Sequence, residues 1–166
     1  PKEELADMTD ELAVPGEILV YGATVIHHSK RPLVQNYYNF IKTEENGKDR
    51  ERNLFVSEPK KVDTHYSIFE DNHGTHIFAN DDLDMMTELS DLVAMGYDHW
   101  KLDGIFTRGE DFVAVNKLFV EAKNLIEKGE FTELKAFQLD EEIRKIHPAG
   151  RTLSHGFYDL DKDAIK

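Results

Sequence analysis

The chain has 166 residues, which suffices for one domain with a real core but is short of the roughly 250 residues of a closed eight-stranded barrel. Its 20 Lys and Arg against 33 Asp and Glu give a formal charge of −13, so direct nucleic-acid binding over a broad surface is not expected, although local basic patches could still touch a nucleic acid. The absence of cysteine excludes disulfides, thiolate nucleophiles and clusters held by cysteines alone, and it suits the cytoplasm. No apolar run is long enough for a membrane span, and the start at Pro1 suggests a fragment of a longer protein.

The first 31 residues predict a helix and then a buried strand. Apolar residues within Lys2–Leu12 recur at spacings of three and four, which puts them on one helix face: Leu5, Met8 and Leu12. Glu17–Tyr21 is a short apolar run closed by Gly22, typical of a strand in a parallel sheet. We expect His27–Arg31 to form the exit loop.

Residues 32–63 give weaker signals and are predicted to be an irregular insert. Leu33–Phe40 is compatible with a strand or with a helical turn, and the pattern does not decide between them. Lys42–Arg52 is highly charged and contains Asn46-Gly47, which predicts an exposed loop. Leu54–Val56 is a possible short strand.

A hairpin and a helix are predicted next. Tyr66–Glu70 and Thr75–Ala79 flank Asp71–Gly74, whose Asn, Asp and Gly tolerate positive φ. Asn80 is expected to cap a helix that starts at Asp81, because acidic residues suit the first helical turn.

The rest of the chain predicts one strand, two helices and a tail. His99–Leu102 is the strand, and Glu110–Lys128 and Thr132–Ile146 are the helices. Residues 147–166 are expected to be mostly a C-terminal loop.

This order predicts a single α/β domain over residues 1–166. We expect a partial TIM-barrel-like fold: a half-barrel or a small, mostly parallel sheet, with a β-hairpin and three to four helices. A half-barrel leaves a sheet edge that invites pairing, so we expect a homodimer in the crystal, or packing of residues 32–63 over that edge.

Four charged residues at predicted strand ends are candidate catalytic residues. Glu70 and Asp71 could act as an acid–base pair or bind a hard metal, although neighbours on a strand point to opposite faces, and a hydrated turn is the alternative. Lys101 and Asp103 alternate with apolar residues and share one strand face, where the lysine could hold an anion. A charged pair on a solvent-exposed strand is the alternative interpretation.

Two other constellations are weak. His27-His28 and the pair His73 and His76 invite a zinc hypothesis, but residues three apart on a strand face opposite sides, and we predict no metal site. Ser154-His155 with Asp159 nearby superficially offers a Ser/His/Asp set. Sequence adjacency does not build a triad, and no Gly-x-Ser-x-Gly elbow occurs.

The order of several stretches resembles the C-terminal half of the barrel-like domain of collagenase-like peptidases, family U32. The matching stretches are Glu17-Ile-Leu-Val-Tyr-Gly22, Ile68-Phe-Glu-Asp71 with Gly74-Thr-His-Ile-Phe78 and Asp82-Leu83, Gly96–Gly104, and His147-Pro148 through Arg151 to Gly156-Phe-Tyr158. The resemblance implies part of a TIM-barrel-like fold. Candidate substrate-binding residues are Tyr21, His27, Arg151 and Tyr158.

The resemblance also implies three possible functions. Members carry a peptidase label, and some are implicated in hydroxylating tRNA uridine with a four-cysteine iron–sulfur cluster. The segments that correspond to the cysteine-bearing ones, Ala23–Val34 and Arg50–Lys61, contain no cysteine, and Ile105 replaces a family arginine. We therefore predict no cofactor and favour a cluster-free accessory subunit that works beside a cysteine-bearing paralogue. An active peptidase with groups outside this chain and a non-catalytic module that binds a small anion are the alternatives.

Overall fold

The computed structural model describes residues 1–12, 14–49, 53–161 and 163, and it confirms the α/β class. The chain divides into two compact units, one of residues 1–23 and 81–166 and the other of residues 24–80. Two long strands, β1 (Glu17–Ser29) and β4 (Gly74–Asp84), contribute residues to both. Hydrogen bonds connect the strands in the order β2 (Phe55–Glu58), β3 (Lys61–Asp71), β4, β1 and β5 (His99–Leu102), and β6 (Thr152–Ser154) pairs with β4.

Four α-helices lie in the described part of the unit of residues 1–23 and 81–166. They are α1 (Lys2–Leu12), α3 (Leu89–Ala94), α4 (Gly109–Lys128) and α5 (Glu133–Ile146). The helices predicted from Lys2, Glu110 and Thr132 are thus confirmed. Gly129 ends α4 in the left-handed region at φ 70°, and the Thr132 hydroxyl caps α5 by accepting from the Lys135 amide over 3.3 Å.

Short parallel strands pair with β1 and β4 in this unit. Strand β5 (His99–Leu102) lies parallel to β1, with Leu19 opposite Lys101. Strand β6 (Thr152–Ser154) lies parallel to β4, with Asp82 opposite Leu153. The helices cover a core whose fully buried members are Val20, Tyr21, Met86, Leu89, Leu92, Val115, Ala122 and Ile143.

The helix predicted from Asp81 exists as α3, but its predicted start and its Asn80 cap are wrong. Strand β4 continues to Asp84, and helical structure begins only with a 3-10 turn at Met86–Glu88 that leads into α3. The carboxylates of Asp82 and Asp84 are buried, not solvated in a first helical turn. The non-local partner strand β6, which lies in a tail predicted to be mostly loop, holds this segment extended.

The unit of residues 24–80 is, where the structure describes it, a β-meander with one helix. It contains α2 (Leu33–Phe40), β2 (Phe55–Glu58), β3 (Lys61–Asp71) and the first part of β4. The structure resolves Leu33–Phe40 as helical, so segment 32–63 contains a helix and a strand. The predicted loop at Lys42–Arg52 lies partly outside the described residues.

The predicted hairpin is confirmed as the antiparallel pair β3 and β4, with Ile68 opposite Ile77 and Asp71 opposite Gly74. Gly74 takes φ 124°, which an L side chain rarely adopts. The predicted exit loop at His27–Arg31 is wrong in its first part, because β1 continues to Ser29. Among the described residues, no helix is long and apolar enough to cross a membrane.

Candidate functional site

A buried polar cluster surrounds the hydroxyl of Tyr21, which sits on β1 with no exposed surface. The Tyr21 hydroxyl lies 2.9 Å from Thr107 Oγ1 and 2.9 Å from His147 Nδ1. Thr107 belongs to the loop that follows β5, and His147 is the residue at which α5 ends. A strand, a loop and a helix end therefore converge on one phenol.

An ion pair completes this cluster. Arg151 donates from Nε and Nη2 to the two oxygens of Asp82, over 2.9 and 2.7 Å, and the side chains are 10% and 1% exposed. The guanidinium lies over the ring of Phe106, 3.9 Å from its centroid. His147 Nε2 lies 3.6 Å from Asp82 Oδ2, beyond hydrogen-bonding distance. We call Tyr21, Asp82, Thr107, His147 and Arg151 the Tyr21–Arg151 cluster.

Burial sets the protonation states in this cluster. It raises the pKa of the Tyr21 phenol to about 12. It also lowers the pKa of His147, against the opposing effect of the nearby Asp82 carboxylate. Both groups are consequently neutral near neutral pH.

The neutral groups form a directed chain of donors. With its proton on Nε2, His147 accepts at Nδ1 from the Tyr21 hydroxyl and points its N–H towards Asp82. The Thr107 hydroxyl then donates to Tyr21. The arrangement can hold or relay a proton, but it offers no activated nucleophile.

The structure brings two predicted substrate-binding residues into this cluster and leaves two outside it. Tyr21 and Arg151 are joined through His147 and Asp82. Tyr158 is buried in the apolar core, and burial raises the pKa of its phenol. His27 is exposed in the unit of residues 24–80.

Sequence reasoning missed Asp82, Thr107 and His147 as site residues. The alternation of Asp82 and Asp84 with apolar neighbours was an available strand signal, but their acidity was attributed to a helix start. His147 lies in one of the stretches that carry the family resemblance, and nothing local marks Thr107; the two residues reach Tyr21 across 126 and 86 positions of the chain.

The predicted catalytic pair Lys101 and Asp103 lies just beyond the cluster in the same unit. Lys101 is exposed on β5. Asp103 accepts at Oδ1 from the Ile105 amide over 2.8 Å, and its own amide donates to the Tyr21 carbonyl. These contacts shape the loop that carries Thr107.

The other predicted pair, Glu70 and Asp71, divides into two separate networks in the unit of residues 24–80. Glu70 is 2% exposed and accepts from the amides of Val34 and Gln35 at the start of α2, and its Oε2 lies 3.0 Å from the Thr75 hydroxyl oxygen. The carboxylate thereby satisfies amides that the helix itself leaves unpaired.

Asp71 accepts from the His73 amide over 2.7 Å and contacts His76 Nε2 at 3.2 Å. These two hydrogen bonds, the first more than the second, lower the pKa of Asp71. The two carboxylates thus face different partners, as the alternation of side chains along a strand requires.

The described residues do not fit a metal or an iron–sulfur cluster. The chain has no cysteine, and no group of three or more His, Asp or Glu side chains in the described ranges could hold a metal ion. The rings of His28 and His76 stack, with centroids 4.8 Å apart.

The Ser154, His155 and Asp159 set does not assemble into a triad. His155 Nδ1 contacts Asp159 Oδ2 at 3.0 Å, but Ser154 Oγ accepts from the Gly156 amide. His155 Nε2 lies 3.3 Å from the hydroxyl of Thr87, which donates its proton to a Glu88 carboxylate oxygen instead. The histidine therefore activates neither hydroxyl.

Comparison with known proteins places the chain in a family. Residues 1–166 match the model of peptidase family U32. The "tRNA hydroxylation protein P2" of Bacillus subtilis (strain 168) is 32% identical over 159 residues, which cover 94% of this chain and 51% of that protein. The chain thus spans about half the length of the curated relative that it matches, and no solved structure matches it. The chain belongs to peptidase family U32.

Proposed function

We propose that this chain takes part in the hydroxylation of uridine in tRNA. The observation that carries the proposal is the 32% identity, over 94% of the chain, to a protein named for tRNA hydroxylation. Tyr21 and Arg151, singled out from the family resemblance, also meet in one buried cluster.

The chain acts in this proposal as a subunit without a cluster. A cysteine-ligated iron–sulfur centre would supply redox chemistry, but the chain has no cysteine, and its described residues do not fit such a group. A cysteine-bearing paralogue therefore holds the centre, in the cytoplasm where tRNA is modified. This chain contributes binding and positioning.

The fold we propose is part of a TIM-barrel-like sheet. Support comes from the parallel pairs β1 with β5 and β4 with β6, and from α4, which follows the loop after β5. Loops at the carboxyl ends of parallel strands carry function in such folds. Phe106 and Thr107 lie in a loop of this kind.

The cluster is better suited to holding a proton or fixing a geometry than to binding a small anion. Asp82 neutralises Arg151 through two hydrogen bonds, and Lys101 is exposed and outside the cluster. Neutral His147 and Tyr21 add no positive charge. We assign the Thr107–Tyr21–His147–Asp82 chain a positioning role in the proposed reaction.

Gene deletion followed by mass spectrometry of tRNA nucleosides tests this function. Loss of 5-hydroxyuridine-derived wobble modifications, restored by the wild-type gene, is the expected result. Unchanged modification in the deletion strain would overturn the proposal.

Two biochemical measurements test the division of labour. Iron analysis of the purified protein should show none, and affinity purification should recover a cysteine-bearing paralogue. Stoichiometric iron in this subunit alone, or cleavage of gelatin by the protein without a partner, would contradict the accessory role.

A further inference from the structure

The net negative charge of the chain lies in one of its two units. Residues 24–80 contain eight Lys and Arg and eight Asp and Glu, whereas the remaining residues contain 12 and 25. Residues 24–80 therefore have no formal net charge, and the others carry the whole −13. Five of the eight histidines also lie in residues 24–80. The repulsion of phosphates that the total charge implies does not apply to this unit.

Exposed basic side chains meet at the turn between β3 and β4. Gly74 packs so tightly on the backbone of Ser29 and Lys30 that a Cβ would collide with the Ser29 carbonyl. The Thr75 hydroxyl donates to the Arg31 carbonyl over 2.8 Å. These contacts fix Lys30 and Arg31, both exposed, beside the turn.

Three further groups approach the same turn. Lys48 donates from Nζ to Asn72 Oδ1 over 2.8 Å. His28 Nε2 lies 3.2 Å from the His73 carbonyl oxygen, and both histidines are exposed. We call Lys30, Arg31, Lys48, His28 and His73 the turn patch.

The carboxylates near the turn patch do not neutralise its basic groups. Glu70 is buried against α2, and Asp71 bonds to the His73 amide and His76. Among the described residues, Lys30, Arg31 and Lys48 form no ion pair with a carboxylate. The charged groups of these three side chains are therefore not paired with a described carboxylate.

Aromatic side chains stand on the helix that begins just after Arg31. Tyr37 and Phe40 on α2 are 58% and 83% exposed. Exposed aromatic rings beside basic side chains are the combination that binds unpaired RNA, because bases stack on the rings while cations hold the phosphates. The amides at the start of α2 already bind Glu70, so side chains must supply the phosphate contacts.

We propose that residues 24–80 bind tRNA, with the turn patch on the phosphate backbone and Tyr37 and Phe40 stacked on bases of an unpaired loop. This inference rests on the proposed function and identifies where the substrate is held. Total charge argues against a broad nucleic-acid footprint, and the inference takes up the alternative that a local basic patch makes the contact.

Fluorescence anisotropy of labelled tRNA with the whole protein tests this inference. Lys30→Glu with Arg31→Glu should weaken binding by at least about tenfold and lower the slope of log affinity against log salt by about 1.5. Tyr37→Ala with Phe40→Ala should weaken it by about fivefold or more, with little change in that slope. The matched control is Lys117→Glu with Lys128→Glu on α4, which changes the net charge equally and should leave binding unchanged.

A measurement on the wild-type protein does not depend on the folding of any variant. Bound tRNA should protect Lys30 and Lys48 from acetylation, as read by mass spectrometry, and should leave Lys117 and Lys128 reactive. Absence of tRNA binding, equal protection of all four lysines, or equal effects of the two charge reversals would overturn the inference.

The two proposals can fail separately. If the deletion strain loses the modification and the Lys30→Glu with Arg31→Glu gene restores it fully, the turn patch is refuted and the proposed function stands. If the patch binds tRNA and the deletion strain keeps the modification, the proposed function is refuted and the binding surface stands.

Discussion

Replacing Asp84 with asparagine should stabilise the protein above neutral pH. Asp84 is 2% exposed at the end of β4, and its Oδ1 accepts from the Met86 amide over 3.0 Å. Burial, reinforced by the neighbouring Asp140 carboxylate, raises the pKa of Asp84 from 3.8 to about 7. The asparagine side chain would keep an acceptor for the Met86 amide and could not ionise.

The size of the effect follows from proton linkage. Between about pH 4 and pH 7 the folded chain keeps the Asp84 proton and the unfolded chain releases it, so stability falls as pH rises through this window. Each pKa unit is worth about 1.4 kcal/mol, so the rise in the pKa of Asp84 from 3.8 to about 7 lowers the free energy of unfolding by about 4 kcal/mol once the group is ionised in both states. Asp84→Asn should therefore raise the free energy of unfolding by about 2–4 kcal/mol at about pH 8, and hardly at all near pH 4.

Urea unfolding followed by circular dichroism over this pH range measures the effect. Glu121→Gln, which removes an exposed carboxylate from the middle of α4, controls for the change in net charge. A gain that is equal at every pH, or equal in the control, would show that ionisation of Asp84 is not the cause.

Three further predictions concern single residues. Because burial lowers the pKa of His147, the unfolded chain takes up this proton at a higher pH than the folded chain, and the free energy of unfolding should fall as pH drops below about 6.5. His147→Gln should remove this pH dependence, and NMR titration of the imidazole ring should show the lowered pKa. Glu70→Ala should lower the free energy of unfolding by about 2–4 kcal/mol in denaturant titrations, because buried amides of α2 lose their acceptor, with a smaller loss for Glu70→Gln. Gly22→Ala should lower the free energy of unfolding by more than about 2 kcal/mol in the same assay, because Gly22 has φ 109° and a Cβ would collide with the Asp103 carbonyl. The control Gly150→Ala should change it little, because a Cβ at Gly150 would meet no atom within 4 Å.

Elements with strong local signals could be predicted from the sequence. The hairpin around Asp71–Gly74 has turn residues that tolerate positive φ, and α4 has a long apolar stripe that ends at a glycine in the left-handed region. Strand β5 alternates the apolar Trp100 and Leu102 with polar residues just before the turn signal Asp103-Gly104. In each case the information lies within a few residues of the element.

The elements that were missed depend on distant partners. Asp81–Asp84 has the acidic composition of a first helical turn, yet pairing with β6, about 70 residues later, keeps it extended. Residues 27–29 likewise extend β1 where composition predicted a loop. Local propensity is a weak guide when a strand partner competes for the same backbone.

Only part of the candidate site could be predicted from the sequence, because the rest depends on contacts between residues that are far apart in the chain. Tyr21, His147 and Arg151 lie in stretches that carry the family resemblance, but His147 and Thr107 become site residues only when a helix end and a loop reach Tyr21. The sequence predicts an acid–base or metal-binding role for Glu70, whereas in the structure its carboxylate accepts from the first amides of α2. Its buried position reflects the unpaired amides of α2, which the sequence did not reveal because Leu33–Phe40 was ambiguous.

The buried pair of Asp82 and Arg151 argues that the Tyr21–Arg151 cluster serves geometry more than stability. Removing two charges from water consumes most of their mutual attraction, so apolar side chains of similar volume would stabilise the core as well or better. The Asp82–Arg151 hydrogen bonds nevertheless fix a carboxylate 3.6 Å from His147 Nε2, where its charge favours the tautomer that carries the proton on Nε2 and accepts at Nδ1 from Tyr21. An apolar replacement would remove that preference, and with it the defined direction of the Tyr21–His147 hydrogen bond. The arrangement is therefore best explained by a requirement for one fixed orientation of Tyr21 and His147.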